Sequence, residues 1–96
     1  MARTPPTPLR SFLVECYWPG LTESGVMVTA RRAQEAAEKL NEQGKQISYR
    51  SAFLVPDDEV AFCLFDASSV GTVEEACHRA ELPFDRILSV TPINLG

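Results

Sequence analysis

The chain has 96 residues, 45% of them hydrophobic and 23% charged, with a formal net charge of −4. This length fits a single domain, and the composition is that of a folded protein rather than a disordered one. The nine basic residues are spread along the chain, no apolar run could span a bilayer, and the N-terminus lacks the apolar core of a secretory signal. We therefore expect a cytoplasmic protein with no nucleic-acid and no membrane partner.

The first half of the chain predicts a tail, a strand and a helix. Residues 1–10 are rich in proline and predict a flexible N-terminal tail, so that a single domain spans residues 11–96. Residues 12–17 are aromatic and β-branched, and Pro19 and Gly20 follow them, which is typical of a strand and its end. A helix follows, because one apolar stripe has helical spacing: Ala30, Ala33, Ala37 and Leu40.

The second half predicts a hairpin, a second helix and a last strand. In residues 47–55, alternation places Ile47, Tyr49, Phe53 and Val55 on one side, and a turn at 56–59 leads to an apolar strand at 60–65. Thr72 with Glu75 could form a capping box at the start of the next helix, or Ser68 or Ser69 could be its cap. The apolar stripe of this helix is Val70, Val73, Cys77 and Ala80. Residues 87–90 form the last strand. This order predicts an α+β, ferredoxin-like β-α-β-β-α-β fold: a four-stranded antiparallel sheet with two helices on one face.

The strand at residues 60–65 is apolar at every position, which predicts that both faces of the sheet are covered. The two helices cover only one face. A second copy of the same sheet is the simplest cover for the other, so we expect a homodimer.

The sequence contains no strong catalytic motif, and its three cysteines favour neither a disulfide framework nor a zinc site. The only histidine, His78, lies near Glu74 and Glu81 at helical spacing. These three side chains could hold a divalent metal, or they could simply form a solvated helix face.

Glu15 is the one charged residue inside the first strand, on the face opposite Phe12, Val14 and Cys16. If that face is covered, the carboxylate needs a partner, and Arg50 is a candidate. A structural ion pair and a ligand site are both open at this point. We take a candidate ligand site from the same region: Glu15, Arg50, Cys63, Tyr17 and Trp18.

Several short stretches of the chain match a known family in their order and spacing, namely residues 13–15, 19–22, Ser51, 62–65 and 82–87. With these stretches, residues 11–90 resemble a family of small bacterial domains of unknown function that includes a dimeric nickel-binding protein from actinomycetes. The resemblance implies a ferredoxin-like fold, a dimer and nickel binding in some members. Typical members carry a histidine just before the serine matched here to Ser51, where this chain has Arg50. A guanidinium does not ligate metals at neutral pH, so an anionic ligand is the alternative at this place.

The sequence is therefore compatible with three classes of function. The first is a dimeric binding domain for a small ligand or a divalent transition metal such as nickel. The second is an enzyme of the dimeric α/β-barrel type acting on a small organic molecule, supported by fold analogy alone. The third is a protein-assembly module. Because no catalytic motif is present, we expect a protein that is not an enzyme.

Overall fold

The computed structural model describes residues 8–95, so all but the last three residues of the predicted tail, residues 1–10, lie outside the described part. Four strands and two helices follow in the predicted order: β1 Arg10–Tyr17, α1 Glu23–Glu42, β2 Ile47–Val55, β3 Val60–Ala67, α2 Val70–Arg79 and β4 Arg86–Val90. The strands form one antiparallel sheet in the order β2-β3-β1-β4. The predicted α+β, ferredoxin-like fold is confirmed. No helix within residues 8–95 is both long and apolar enough to cross a membrane.

Both helices begin at a hydroxyl cap and end in the same hydrogen-bonded motif. Thr22 caps α1 and Ser69 caps α2, each accepting a backbone N–H from three residues further on. At the C-terminal ends, Lys45 donates to Leu40 and Leu82 donates to Cys77, which is the long bond of a Schellman motif. That motif needs a left-handed residue, and Gly44 (φ 87°) and Glu81 (φ 55°) occupy the two positions.

The core lies between the sheet and the two helices. β1 contributes Phe12, Val14 and Cys16, and β3 alternates in the same way, with every second residue from Ala61 to Ala67 buried. The helices place small side chains over them: Ala33, Ala36, Ala37, Ala76, Cys77 and Ala80. Because these side chains are short, the helix backbones can lie close to the sheet.

The expected alternation in β2 is wrong, because a β-bulge interrupts the strand. Tyr49 is paired with Phe65, whereas Ser51 is paired with its neighbour Leu64, so Arg50 is the extra residue. An extra residue inverts the faces of everything that follows it. Ile47 and Tyr49 therefore point toward the helices, while Phe53 and Val55 point to the opposite side.

Candidate functional site

The candidate site is the side of the sheet that faces away from both helices, which we call the open face. The registers between strands place its residues in rows across the sheet. One row is Phe53, Phe62, Glu15 and Arg86, and the next is Ser51, Leu64, Leu13 and Leu88. The middle of the open face is thus apolar, and Phe53 remains 50% exposed within residues 8–95.

The first polar group on this face is an ion pair between Glu15 and Arg86. These residues are directly opposite each other in the β1–β4 register. The guanidinium donates two hydrogen bonds to the carboxylate, Nε to Oε1 at 2.9 Å and Nη2 to Oε2 at 3.1 Å. This two-point geometry fixes the orientation of both side chains, and the bonds to Glu15 raise the pKa of Arg86.

The second polar group lies toward the other end of the open face and is centred on Asp66. Arg50 donates from Nη1 to Oδ2 of Asp66 at 3.0 Å, and the Ser11 hydroxyl donates to Oδ1 at 2.7 Å. Arg50 lies two residues after Ser48, the register partner of Asp66, so the alternation of the strand places both Arg50 and Asp66 on the open face. The expected pairing of Glu15 with Arg50 is therefore wrong: Arg50 pairs with Asp66, and Glu15 pairs with Arg86.

Both ion pairs present their positive group to solvent. The side chains of Glu15 and Asp66 are 24% and 21% exposed, whereas those of Arg86 and Arg50 are 61% and 60% exposed. Each carboxylate is held against the sheet and each guanidinium head stands above it. The arginines keep unused N–H donors in this arrangement, because a guanidinium carries five.

The structure separates Cys63 from the other predicted ligand residues. Its strand neighbour Phe62, not Cys63, is opposite Glu15, and Cys63 points into the core beside the helices. Burial raises the pKa of Cys63 to about 11 and that of Cys16 and Cys77 to about 12. All three cysteines are free and buried. At neutral pH they are protonated thiols, which are weak nucleophiles and weak metal ligands.

Tyr17 and Trp18 also diverge at the end of β1. Tyr17 points to the open face, and its backbone N–H donates to the Asp85 carboxylate. Trp18 turns the other way and packs near Gly25 of α1, where a Cβ atom would lie 3.8 Å from the indole ring. Only Glu15, Arg50 and Tyr17 of the five predicted ligand residues share the open face.

The predicted metal trio of His78, Glu74 and Glu81 is not assembled into a site. Helix α2 ends at Arg79, and the left-handed turn at Glu81 takes that carboxylate off the helical spacing on which the prediction rested. His78 instead stacks edge-on against Phe84, with ring centroids 5.7 Å apart. Within residues 8–95 no three His, Cys, Asp or Glu side chains are grouped so that they could hold a metal ion.

Sequence reasoning missed Asp66 and Arg86 as members of the site. Asp66 is the first charged residue after the apolar run of residues 60–65, and that contrast is a usable signal. Arg86 lies at the start of the last strand, one residue before the predicted boundary. Assigning it to Glu15 needs the β1–β4 register, which no local pattern specifies.

Comparison with known proteins gives one family and one structure. A model of the family described as nickel responsive protein SCO4226-like matches residues 12–90. The crystal structure of SCO4226 from Streptomyces coelicolor A3(2) matches with a TM-score of 0.68 at 23% identity, covering 88% of this chain and 99% of that one. At this identity the structural likeness supports the fold alone. No curated protein matches the sequence.

Proposed function

The chain belongs to the SCO4226-like family of nickel-responsive proteins, and on that premise we propose that it is a non-enzymatic, homodimeric binding domain. In this proposal two open faces pack together, and the arginines that stand above them bind a small anionic ligand. The observation that carries the proposal is the composition of the open face: an apolar centre with two outward-facing guanidinium groups at its margins.

The apolar rows support pairing of two copies. Monomeric proteins rarely leave a contiguous apolar patch of this kind in water. Two sheets pack face to face at about 10 Å, with side chains from both inner faces interleaved. A two-fold axis brings the same patch of each copy together, so Leu13, Leu64 and Phe62 would meet their counterparts without any further element.

Nickel fits this chain poorly. Imidazole is a protein ligand that suits nickel, and the single histidine lies on α2, on the other side of the sheet. The position at which the resemblance implies a histidine holds Arg50, and that arginine already neutralises Asp66. The charge that a metal ion would supply beside Asp66 is thus supplied by the protein.

An anionic ligand fits the same geometry better. Guanidinium groups recognise carboxylates and phosphates through paired hydrogen bonds. Arg50 and Arg86 are each anchored by an acidic residue below, so they are oriented before any ligand arrives. The apolar side chains between them suit a ligand with a hydrocarbon part.

Sedimentation tests the dimer. At about 10 μM the protein is expected to sediment as a dimer, and Leu64→Lys is expected to give a monomer because it places a charge at the centre of the open face. The matched control is Val28→Lys, an equally large change on the outer surface of α1, which should leave the dimer intact. A wild-type monomer at high micromolar concentration contradicts the proposal.

A thermal-shift series tests the ligand class. Octanoate should raise the melting temperature, whereas octylamine, with the same chain and the opposite charge, should not. The double variant Arg50→Gln/Arg86→Gln should lose the octanoate effect. Equal responses to the two compounds, or an octanoate effect that survives in the double variant, would show that the arginines do not select the ligand.

A further inference from the structure

Arg50 and Arg86 stand at opposite corners of the open face, so a small ligand cannot bind both arginines of one copy. Arg50 belongs to β2 and Arg86 to β4, which are the two edge strands of the sheet, three strand spacings or about 14 Å apart. The two residues are also offset along the strands. Arg86 lies in the row of Phe53, and Arg50 precedes Phe53 by three residues, which is about 10 Å. The diagonal between the two positions is therefore about 17 Å.

A dimer of open faces brings arginines of different copies closer together than this. If the two-fold axis runs parallel to the strands, each row of one copy lies over the same row of the other, with the order of the strands reversed. Strand β2 of one copy then lies over β4 of its partner. Arg50 and the partner's Arg86 therefore share one edge of the interface, where they are offset only along the strands, by about 10 Å.

The side chains of the open face favour this axis. It places the row of leucines on itself, so that Leu13 meets the partner's Leu64. It also places Arg86 over the partner's Phe53, whose ring is half exposed within one copy, and a guanidinium packs favourably on an aromatic ring. An axis across the strands that also stacks the leucine rows would bring the two Arg50 side chains close together, where like charges repel.

We propose that the dimer has two equivalent ligand sites, each built from Arg50 of one copy and Arg86 of the other. Each site takes a dianion whose two acidic groups are joined by a short hydrocarbon chain, and a dicarboxylate is the simplest member of that class. This inference rests on the open-face dimer proposed above. It adds that one copy alone holds only half of a site.

The free donors of the two arginines suit a ligand of this class. Arg86 uses Nε and Nη2 toward Glu15, and Arg50 uses Nη1 toward Asp66. Each guanidinium therefore keeps N–H groups for a carboxylate while its acidic partner holds it in place. Once a hydrogen bond of about 3 Å is allowed for at each arginine, the spacing leaves room for a chain of a few carbons. The partner's Leu88 lies between the two arginines along this edge and gives that chain an apolar neighbour.

Calorimetry with two acids of equal carbon number tests the ligand class. The wild-type dimer should bind adipate about tenfold more tightly than hexanoate, because only adipate has an acidic group for each arginine. Arg50→Gln and Arg86→Gln should each abolish this preference. Arg32→Gln, which removes an exposed arginine of α1, is the matched control and should keep it. Equal wild-type affinities for the two acids would overturn the bridging ligand.

Mixed dimers test whether a site spans two copies. A dimer of one Arg50→Gln chain and one Arg86→Gln chain, isolated with two different affinity tags, contains one site with both arginines and one site with neither. It should bind one adipate with nearly the wild-type affinity, whereas each homodimeric variant should bind about tenfold more weakly. A dimer of one wild-type chain and one Arg50→Gln/Arg86→Gln chain is the matched control. It carries the same number of arginines but no complete site between copies, so it should bind as weakly as the homodimeric variants.

The outcomes separate this inference from the proposed dimer. A first mixed dimer that binds adipate no more tightly than the homodimeric variants overturns the composite site and leaves the open-face dimer standing. A wild-type protein that sediments as a monomer overturns both. Sedimentation of each variant shows that it still assembles. Should a glutamine variant fail to do so, Arg50→Lys and Arg86→Lys replace the pair, because lysine keeps the charge beside the carboxylate but lacks the paired donors of a guanidinium.

Discussion

At the scale of single residues, strand register decides which charged residues of the open face form ion pairs, and the partners are far apart in sequence. Glu15 and Arg86 are separated by most of the chain, yet they occupy opposite positions on β1 and β4. Arg50 reaches Asp66 because it lies two residues after Ser48, which is opposite Asp66 on β3. In each pair the acidic side chain is the better covered partner, so its role is to hold the arginine in place.

The pairing predicts which variants are coupled in stability. A double-mutant cycle on Glu15→Gln and Arg86→Gln should show a favourable coupling, since each single change removes the same ion pair. The matched cycle on Glu15→Gln and Arg50→Gln should be additive, because these residues do not touch. Urea unfolding of the single and double variants provides the measurement, and coupling in the second cycle but not the first would restore the pairing expected from sequence.

A second prediction concerns nickel and the identity of residue 50. The wild-type protein should bind nickel weakly, whereas Arg50→His should bind it at least tenfold more tightly, because it puts an imidazole beside a freed Asp66 carboxylate. Arg10→His is the control, since Ala67 lies opposite Arg10 and supplies no carboxylate. Calorimetry decides: tight wild-type binding that survives His78→Ala would show that nickel uses ligands other than the one imidazole.

At the scale of helices and strands, the ends of elements depend on a few side-chain contacts that a sequence leaves ambiguous. Ser68 and Ser69 are both suitable caps for α2, and only the structure distinguishes them. The Ser69 hydroxyl accepts from the Thr72 backbone N–H at 3.3 Å, whereas Ser68 uses its backbone N–H to bond the Gln46 carbonyl.

The position of the cap predicts that substitutions of Ser69 and Ser68 differ in their effect on the free energy of unfolding. Ser69→Ala should lower the free energy of unfolding by about 1 kcal/mol, because it leaves a helix N–H without its partner. Ser68→Ala should change it by less than about half of that, since its hydroxyl is not the cap. Chemical denaturation of the two variants gives the comparison, and equal losses would mean that the two serines share the cap.

Much of the fold could be predicted because its signals are local. The helical spacing of Ala33, Ala37 and Leu40 specifies α1 and the face it buries, and the apolar run in β3 specifies a strand. The bulge at Arg50 could not be predicted, because one extra residue leaves the local composition unchanged while it inverts Phe53 and Val55. The ion pairs of the candidate site could not be predicted for a similar reason, because the partners of Glu15 and Asp66 depend on the registers of three strand pairs.

At the scale of the whole molecule, the core is thin and rich in thiols. Alanine is the commonest buried residue of the two helices, and Cys16, Cys63 and Cys77 belong to the same core cluster. These thiols raise one another's pKa in addition to the effect of burial, as Cys63 does for both Cys16 and Cys77. The protein interior therefore favours the protonated thiols over the thiolates.

This arrangement predicts a loss of stability at alkaline pH. In the unfolded chain the thiols ionise near their ordinary pKa of 9.0, whereas in the fold the pKa is about 11 for Cys63 and about 12 for Cys16 and Cys77. The folded state thus keeps protons that the unfolded state releases. Stability should be fully present below about pH 8 and should fall as pH rises from there toward 11, by up to about 1.4 kcal/mol per pH unit for each thiol.

Urea unfolding at several values between pH 7.5 and pH 10 measures this dependence, in a window that ends where Tyr49, whose pKa is also raised by burial, would begin to contribute. Cys77→Ala is the informative variant. It costs stability at every pH because it leaves a cavity, but it removes one titrating group, so its stability should fall less steeply with pH than that of the wild type. Parallel curves for the two proteins would show that Cys77 does not contribute to the alkaline loss. A wild-type stability that stays constant to pH 10 would show that the thiols reach water in the native state.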